Sequence, residues 1–203
     1  MKLSTLLEST TLPRVSSLDD LKGATEPVNV TGAVILHSLK LARLPVKFGE
    51  VGGEFWCSRN QLTSLEGAPS QVGGDFWCSY NQLTSLEGDP SQVGGYFDCP
   101  GNKLTSLEGA PSQVGGDFDC SNNKLTSLVG IHKIIKSCNG IHLSKNPIKE
   151  GGLGLLLIKD LEYIWADQPA LEIIRKYLGK GKRGMIDCQT ELIKAGYKEY
   201  AKL

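Results

Sequence analysis

Between Val51 and Val129 the hydrophobic positions recur on a fixed frame of 21 residues. The segments VGGEFWCSRNQLTSLEGAPSQ, VGGDFWCSYNQLTSLEGDPSQ, VGGYFDCPGNKLTSLEGAPSQ and VGGDFDCSNNKLTSLVG begin at Val51, Val72, Val93 and Val114. In each, a phenylalanine and the cysteine two residues later alternate with more polar neighbours, the pattern of a short strand with one buried face. The fourth copy thus sends Phe118 and Cys120 inward and Asp117, Asp119 and Ser121 outward. Self-similarity at this spacing predicts a solenoid, in which each unit buries its apolar face against the next. Degenerate copies flank the clear ones. VTGAVILHSLKLARLPVKFGE from Val30 keeps length and apolar spacing with Leu39 in the asparagine position, and CNGIHLSKNPI from Cys138 recovers Ile141, Leu143, Asn146 and Ile148. The expected solenoid covers 30–150 with six rungs, four clear (51–71, 72–92, 93–113, 114–130) and two degenerate.

The polar positions add detail. Asn60, Asn81, Asn102, Asn123 and Asn146 sit where the chain turns after the strand, and their amides can satisfy backbone groups there. The paired glycines that begin at Gly52 permit a tight bend before each strand. Pro69, Pro90 and Pro111 suit an extended convex side, since a rung this short leaves little room for a helix. Phe118, Cys120, Asn123, Leu125 and Leu128 match the pattern L-x-L-x-x-N-x-L-x-x-L. On these residues the segment 28–150 resembles the leucine-rich repeat proteins, in particular the short-repeat kind of bacterial viruses and bacterial effectors. The C-terminal IIRKYLGKGKRGMIDCQTELIKAGYKEYAKL is similar to the ending of bacteriophage-encoded repeat proteins. The resemblance implies a leucine-rich repeat solenoid acting inside an infected bacterium, and it transfers no catalytic residue.

A solenoid has two open ends to cover. Residues 1–29 are expected to form an N-terminal cap, with Ser16 or Ser17 as N-cap of a short helix in SSLDDLKG closed by Gly23. Residues 151–203 are expected to form a mainly helical C-terminal cap. There GLLLIKDLEYIWA predicts a helix or strand over the last rung. QPALEIIRKYLGKG predicts a helix with Leu171, Ile174 and Leu178 on one face, and GMIDCQTELIKAG another with Ile186, Leu192 and Ile193. A last turn is expected around Tyr200.

Charge changes the picture only locally. The 203-residue chain has 22 basic and 22 acidic residues, so its total implies neither a nucleic acid nor a membrane partner. Residues 51–130, however, carry three basic side chains against nine acids, a net of −6, and residues 131–203 carry thirteen against eight, a net of +5. The N-terminus lacks an apolar run of signal-peptide length and no segment is long enough to span a membrane, which predicts a cytoplasmic protein with reduced thiols.

Cys57, Cys78, Cys99 and Cys120 invite a metal reading that the repeat excludes. Strands in a parallel solenoid lie about 4.8 Å apart, so the four sulfurs form a straight ladder about 14 Å long. Zinc requires four sulfurs converging on one point at about 2.3 Å. These cysteines are expected to be small hydrophobes of the core, as is Cys188. GKGKRG at 179–184 lacks the rest of a phosphate-loop motif and is expected to be an exposed interhelical loop. His37, His132 and His142 have no acidic or serine partner at catalytic spacing. No enzyme, cofactor or metal site is expected.

The outward positions of the repeat strands are the candidate site: Glu54 and Trp56, Asp75 and Trp77, Tyr96 and Asp98, Asp117 and Asp119. Trp56 is expected to stack beside Trp77 with Tyr96 diagonally close, next to a cluster of Asp98, Asp117 and Asp119. Carboxylates facing one another across strands repel and cost stability, so a structural ladder explains the tryptophans better than the acids. The set predicts a protein-binding face with aromatic anchors and an acidic rim. Its partner is a host protein with a basic and apolar surface, such as a defence nuclease, which the protein inhibits or redirects. Direct nucleic-acid binding is not expected. The alternative is carbohydrate, with aromatic faces against sugar rings and aspartates accepting from hydroxyls.

Overall fold

The computed structural model describes residues 9–203. Its strands, in chain order, are β1 (Thr11–Leu12), β2 (Val28–Val30), β3 (Val34–Ile35), β4 (Phe48–Val51), β5 (Phe55–Trp56), β6 (Gln71–Val72), β7 (Phe76–Trp77), β8 (Gln92–Val93), β9 (Phe97–Asp98), β10 (Gln113–Val114), β11 (Phe118–Asp119), β12 (Gly140–His142) and β13 (Tyr163–Trp165). They form two parallel sheets. The first runs β1-β2-β4-β6-β8-β10, and the second runs β3-β5-β7-β9-β11-β12-β13. Each repeat contributes one strand to each sheet, so the molecule is a β-solenoid of about seven turns.

The repeat frame explains the register. Phe55, Phe76, Phe97 and Phe118 pair strand to strand, and their rings stack at 5.3, 5.4 and 5.0 Å between centroids with interplanar angles of 8°, 4° and 17°. Beside them Cys57, Cys78, Cys99 and Cys120 are 0% exposed, as are Leu62, Leu83, Leu104 and Leu125 behind them. The cysteines are therefore packing residues, as their spacing predicts. Burial pushes all four thiols up.

Two backbone devices hold successive turns together. The asparagines form a buried ladder. Asn102 Oδ1 accepts from Leu83 N at 3.0 Å, while its Nδ2 donates to Cys78 O at 3.1 Å and Cys99 O at 3.0 Å. Asn81 and Asn123 repeat the arrangement one turn away on either side. The glycine pair lets adjacent turns touch through their backbones. A Cβ on Gly94 would overlap the carbonyl oxygen of Gly73, and one on Gly115 that of Gly94.

The structure departs from the sequence reading in several places. The Gln-Val pairs before each glycine bend form strands of the first sheet, where a simple bend before one strand was expected. Between Cys57 and Ser70, and in the equivalent stretches of the next two turns, the chain has neither strand nor helix, in line with the extended convex side. The strands outnumber the six expected rungs, since β13 adds a turn beyond residue 150 and β1 pairs in parallel with β2 inside the N-terminal segment. That segment also holds a 3-10 helix, Leu18–Leu21, preceded by Ser17. Asp20 Oδ2 accepts from Ser16 N and Ser17 N at 2.7 and 2.9 Å. Residues 1–8, assigned to the same cap, lie outside the described residues.

Three α-helices follow the clear repeats, α1 (Ile131–Ile134), α2 (Pro169–Arg175) and α3 (Gly181–Lys194), with 3-10 helices at Leu153–Leu157 and Lys198–Ala201. Leu171 and Ile174 of α2 are buried as expected. On α3 the buried residues are Cys188 and Leu192, whereas Ile186 and Ile193 are 64% and 55% exposed, so those two isoleucines do not form the packed face expected of them. The basic run is not a free loop either, because Gly181–Gly184 form the first turn of α3. The end of the chain is tied to the last repeat. Gly151 N donates to Glu199 O at 3.0 Å and Tyr200 Oη to Ile148 O at 2.6 Å. No helix is long and apolar enough to cross a membrane among the described residues.

Candidate functional site

Strand pairing lays the outward side chains of the second sheet in one line: Ile35, Trp56, Trp77, Asp98, Asp119, His142 and Trp165. Glu54, Asp75, Tyr96 and Asp117 form a second line two residues earlier, and Tyr163 continues it opposite Gly140. The predicted positions thus share one face. Their roles divide.

At the N-terminal end, His37 stacks on Trp56 with centroids 4.2 Å apart and planes at 15°. Trp56 meets Trp77 edge to face, at 5.2 Å and 72°, so the tryptophans do not stack on each other as expected. Aromatic pairs favour both geometries. The result is an aromatic surface with Trp56 and Trp77 partly open, Glu54 exposed, and Tyr96 53% exposed. Ser58 and Ser79, at the frame position of Ser121 that was expected to face outward, are buried and share a hydrogen bond of 2.9 Å between their hydroxyls.

The acids do not act as one cluster. Asp75 Oδ1 accepts from Tyr96 N at 2.7 Å, which commits it to holding the next turn. Asp117 accepts a hydrogen bond from the Tyr163 hydroxyl and lies 3.6 Å from His142 Nε2. Asp119 Oδ1 accepts from Ser121 N at 2.8 Å. Asp98, in register with Asp119, is the perturbed one. Burial first, and then the charge of Asp119, push its carboxyl up to about 6, against the opposing pull of the Ser79 hydroxyl and His142. The acidic patch is accordingly Glu54, Asp98 and Asp119. Asp75 and Asp117 serve the fold.

Sequence reading missed His37, Tyr163 and Trp165, and it left His142 without a partner. The Asp117 pairing joins residues far apart in the chain. The signal for Trp165 was available, because YIWAD repeats the in–out alternation of GIHLS, with Ile164 pairing Ile141. The offset from Ile141 to Ile164 is 23 residues, the same as from Phe118 to Ile141 and two more than in the clear repeats.

A surface groove of about 1130 Å³ lies along the first sheet and is lined by Gln71, Gln92, Gln113 and the glycine bends. It is almost uncharged, with Glu50 its one ionisable residue, and its side chains merely repeat. The second sheet, where the outward residues change over a constant interior, is the better candidate. The arrangement there can offer flat aromatic surfaces, hydrogen-bond acceptors and a negative field. No protein-family model, curated protein or solved structure matches this chain.

Proposed function

We propose that the outward face of the second sheet docks a partner protein. Trp56, Trp77 and Tyr96 are the anchors, and Glu54, Asp98 and Asp119 form the acidic rim. The carrying observation is that the partly open Trp56 and Trp77 stand in one line with Asp98, beside the exposed Tyr96, on turns whose interior scarcely changes. Anchors of this kind dominate binding energy, and rim charges steer association. The partner then presents an apolar pocket within a basic surface. The strand–asparagine–return frame supports placing the repeat among leucine-rich repeats. The likeness to bacteriophage-encoded repeat proteins supports a bacterial host protein as the target, acted on by occlusion with no chemistry.

The test is capture from bacterial lysate with the wild type and with Trp56→Ala and Trp77→Ala, singly and together. Each single change is expected to weaken capture of a specific protein by about 2 kcal/mol, with melting temperature little altered, and added salt is expected to weaken it further. Equal capture by the folded double variant would overturn the reading. Carbohydrate is the second reading, favoured by the partly open rings of Trp56 and Trp77 and the exposed Tyr96 beside the acceptors Asp98 and Asp119. It predicts glycan binding that survives high salt and is lost with Trp56→Ala.

A further inference from the structure

The outer side of α3 is an apolar stripe set between cations. Residues three, four and seven apart share one side of a helix. Gly184, Cys188 and Leu192 take the inward side, which turns Ile186 and Ile193 outward. Lys182, Arg183 and Lys194 are exposed beside them, and none of the three enters an ion pair among the described residues. Asp187 is the one acid of the helix left on that side, because Glu191 is turned back to Lys176 and Tyr177. Two exposed isoleucines rimmed by unpaired charge mark a surface built to be covered.

Its complement is on the same molecule. Along the second sheet Glu54 and Trp56 are followed by Trp77, Asp98 and Asp119, each exposed or partly exposed. The order of chemistry there is acid, two aromatics, two acids, over about 14 Å from Trp56 to Asp119. Along α3 from its C-terminal end the order is Lys194, Ile193, Ile186, then Arg183 and Lys182, over about 18 Å. With the isoleucines laid on the tryptophans, Lys194 meets Glu54 while Arg183 and Lys182 meet Asp98 and Asp119. The wider field agrees, acidic over 51–130 and basic over 131–203. Both surfaces are open in the single chain, so they do not cover one another within it.

We propose that in the free protein α3 of one copy docks on the outward face of the second sheet of another, so that copies associate head to tail. The proposal rests on the docking face described above and gives that face an occupant that a target protein must displace. Apolar contact anchors the helix and opposite charge fixes its direction. Each copy contributes a different surface and keeps one of each free, so the contact propagates as an open chain or closes as a ring. One helix on a few strands makes a small interface and hence a weak one.

The experiment is sedimentation velocity of the full chain over a concentration series. Wild type is expected to pass from monomer to larger species as concentration rises, and to return to monomer in high salt. Ile186→Ser with Ile193→Ser, and separately Trp56→Ala with Trp77→Ala, each remove one half of the contact. Each pair should weaken association at least about tenfold, with the melting temperature near that of wild type. The decisive sample mixes the two folded variants. Each keeps the half that the other lacks, so the mixture should form a one-to-one dimer and nothing larger. Wild type that stays monomeric to about millimolar concentration, association undiminished in either variant, or a mixture without dimer would overturn the proposal. The isoleucine variant should still capture a lysate protein through Trp56 and Trp77. Such capture alongside a monomeric wild type would reject self-docking and leave the docking face standing, which separates the two failures.

Discussion

Asp89 occupies the position that Ala68 and Ala110 hold in the neighbouring turns, and both its carboxylate oxygens are buried with no hydrogen-bond partner. Burial pushes its pKa well above the ordinary 3.8, and its charge adds to the upward push on the Cys57, Cys78 and Cys99 thiols. A carboxyl raised in the folded state contributes stability that is present below its unfolded pKa and lost as pH rises through the folded value. Asp89→Ala is therefore expected to raise stability by about 1–3 kcal/mol at neutral pH. It should also flatten the fall in melting temperature as pH rises above the ordinary carboxylate range. A variant no more stable than wild type at pH 8 would contradict this. Asp98 follows the same sign. Its pKa near 6 predicts that Asp98→Asn raises the melting temperature at pH 8 and barely changes it at pH 4. The buried thiols give a third expectation, that a thiol reagent labels Cys57, Cys78, Cys99 and Cys120 only after denaturation.

Each solenoid turn is a short strand pair with few hydrogen bonds of its own, so the links between turns decide whether it forms. Asn102 satisfies one backbone N–H and two carbonyls across its own and the preceding turn. Asn102→Leu strands those buried groups and is expected to cost about 3 kcal/mol or more, read as a shift in the urea midpoint. Gly94 makes the complementary point. Its added methyl would meet a backbone carbonyl, which cannot swing aside as a side chain can, so Gly94→Ala is expected to prevent soluble folding. Ala at Gly196, where a Cβ meets nothing within 4 Å but φ is +86°, should cost only about 1–2 kcal/mol from the left-handed backbone. Similar losses at both glycines would argue against close backbone packing between turns.

The whole molecule is a stack whose ends need cover. The last repeat buries Ile141, Leu143 and Ile148, and the following segment closes over it through β13, α2, α3 and the bonds from Gly151 and Tyr200. Deleting 151–203 removes that cover in one step. The expected outcome is aggregation on size-exclusion chromatography, because turns of a solenoid are stable only with both neighbours in place. A monomeric 1–150 fragment with a cooperative melt would show that the C-terminal segment is a separate unit. The charge asymmetry belongs to this scale as well. It sets an acidic central solenoid against a basic C-terminal segment, a field that favours basic partners at the second sheet.

The repeat frame alone determined the interior. Phe, Cys and Leu at fixed offsets could only face inward on a parallel stack, the asparagines had to serve the turn, and a straight cysteine ladder could not close round a metal. Those conclusions hold because each turn meets the same environment, so a local pattern suffices. The first sheet escaped notice because each of its Gln-Val strands offers one exposed and one buried residue, with no second inward residue to show alternation as Cys does after Phe. The site was legible as a set of positions and illegible as a set of roles. Asp75 and Asp117 look like Asp98 and Asp119 in the sequence, and only the tertiary fold commits the first to Tyr96 N and the second to Tyr163 and His142. Hydrophobic burial is set by periodicity along the chain, whereas a hydrogen bond or a shared recess depends on which distant residues arrive at the same place.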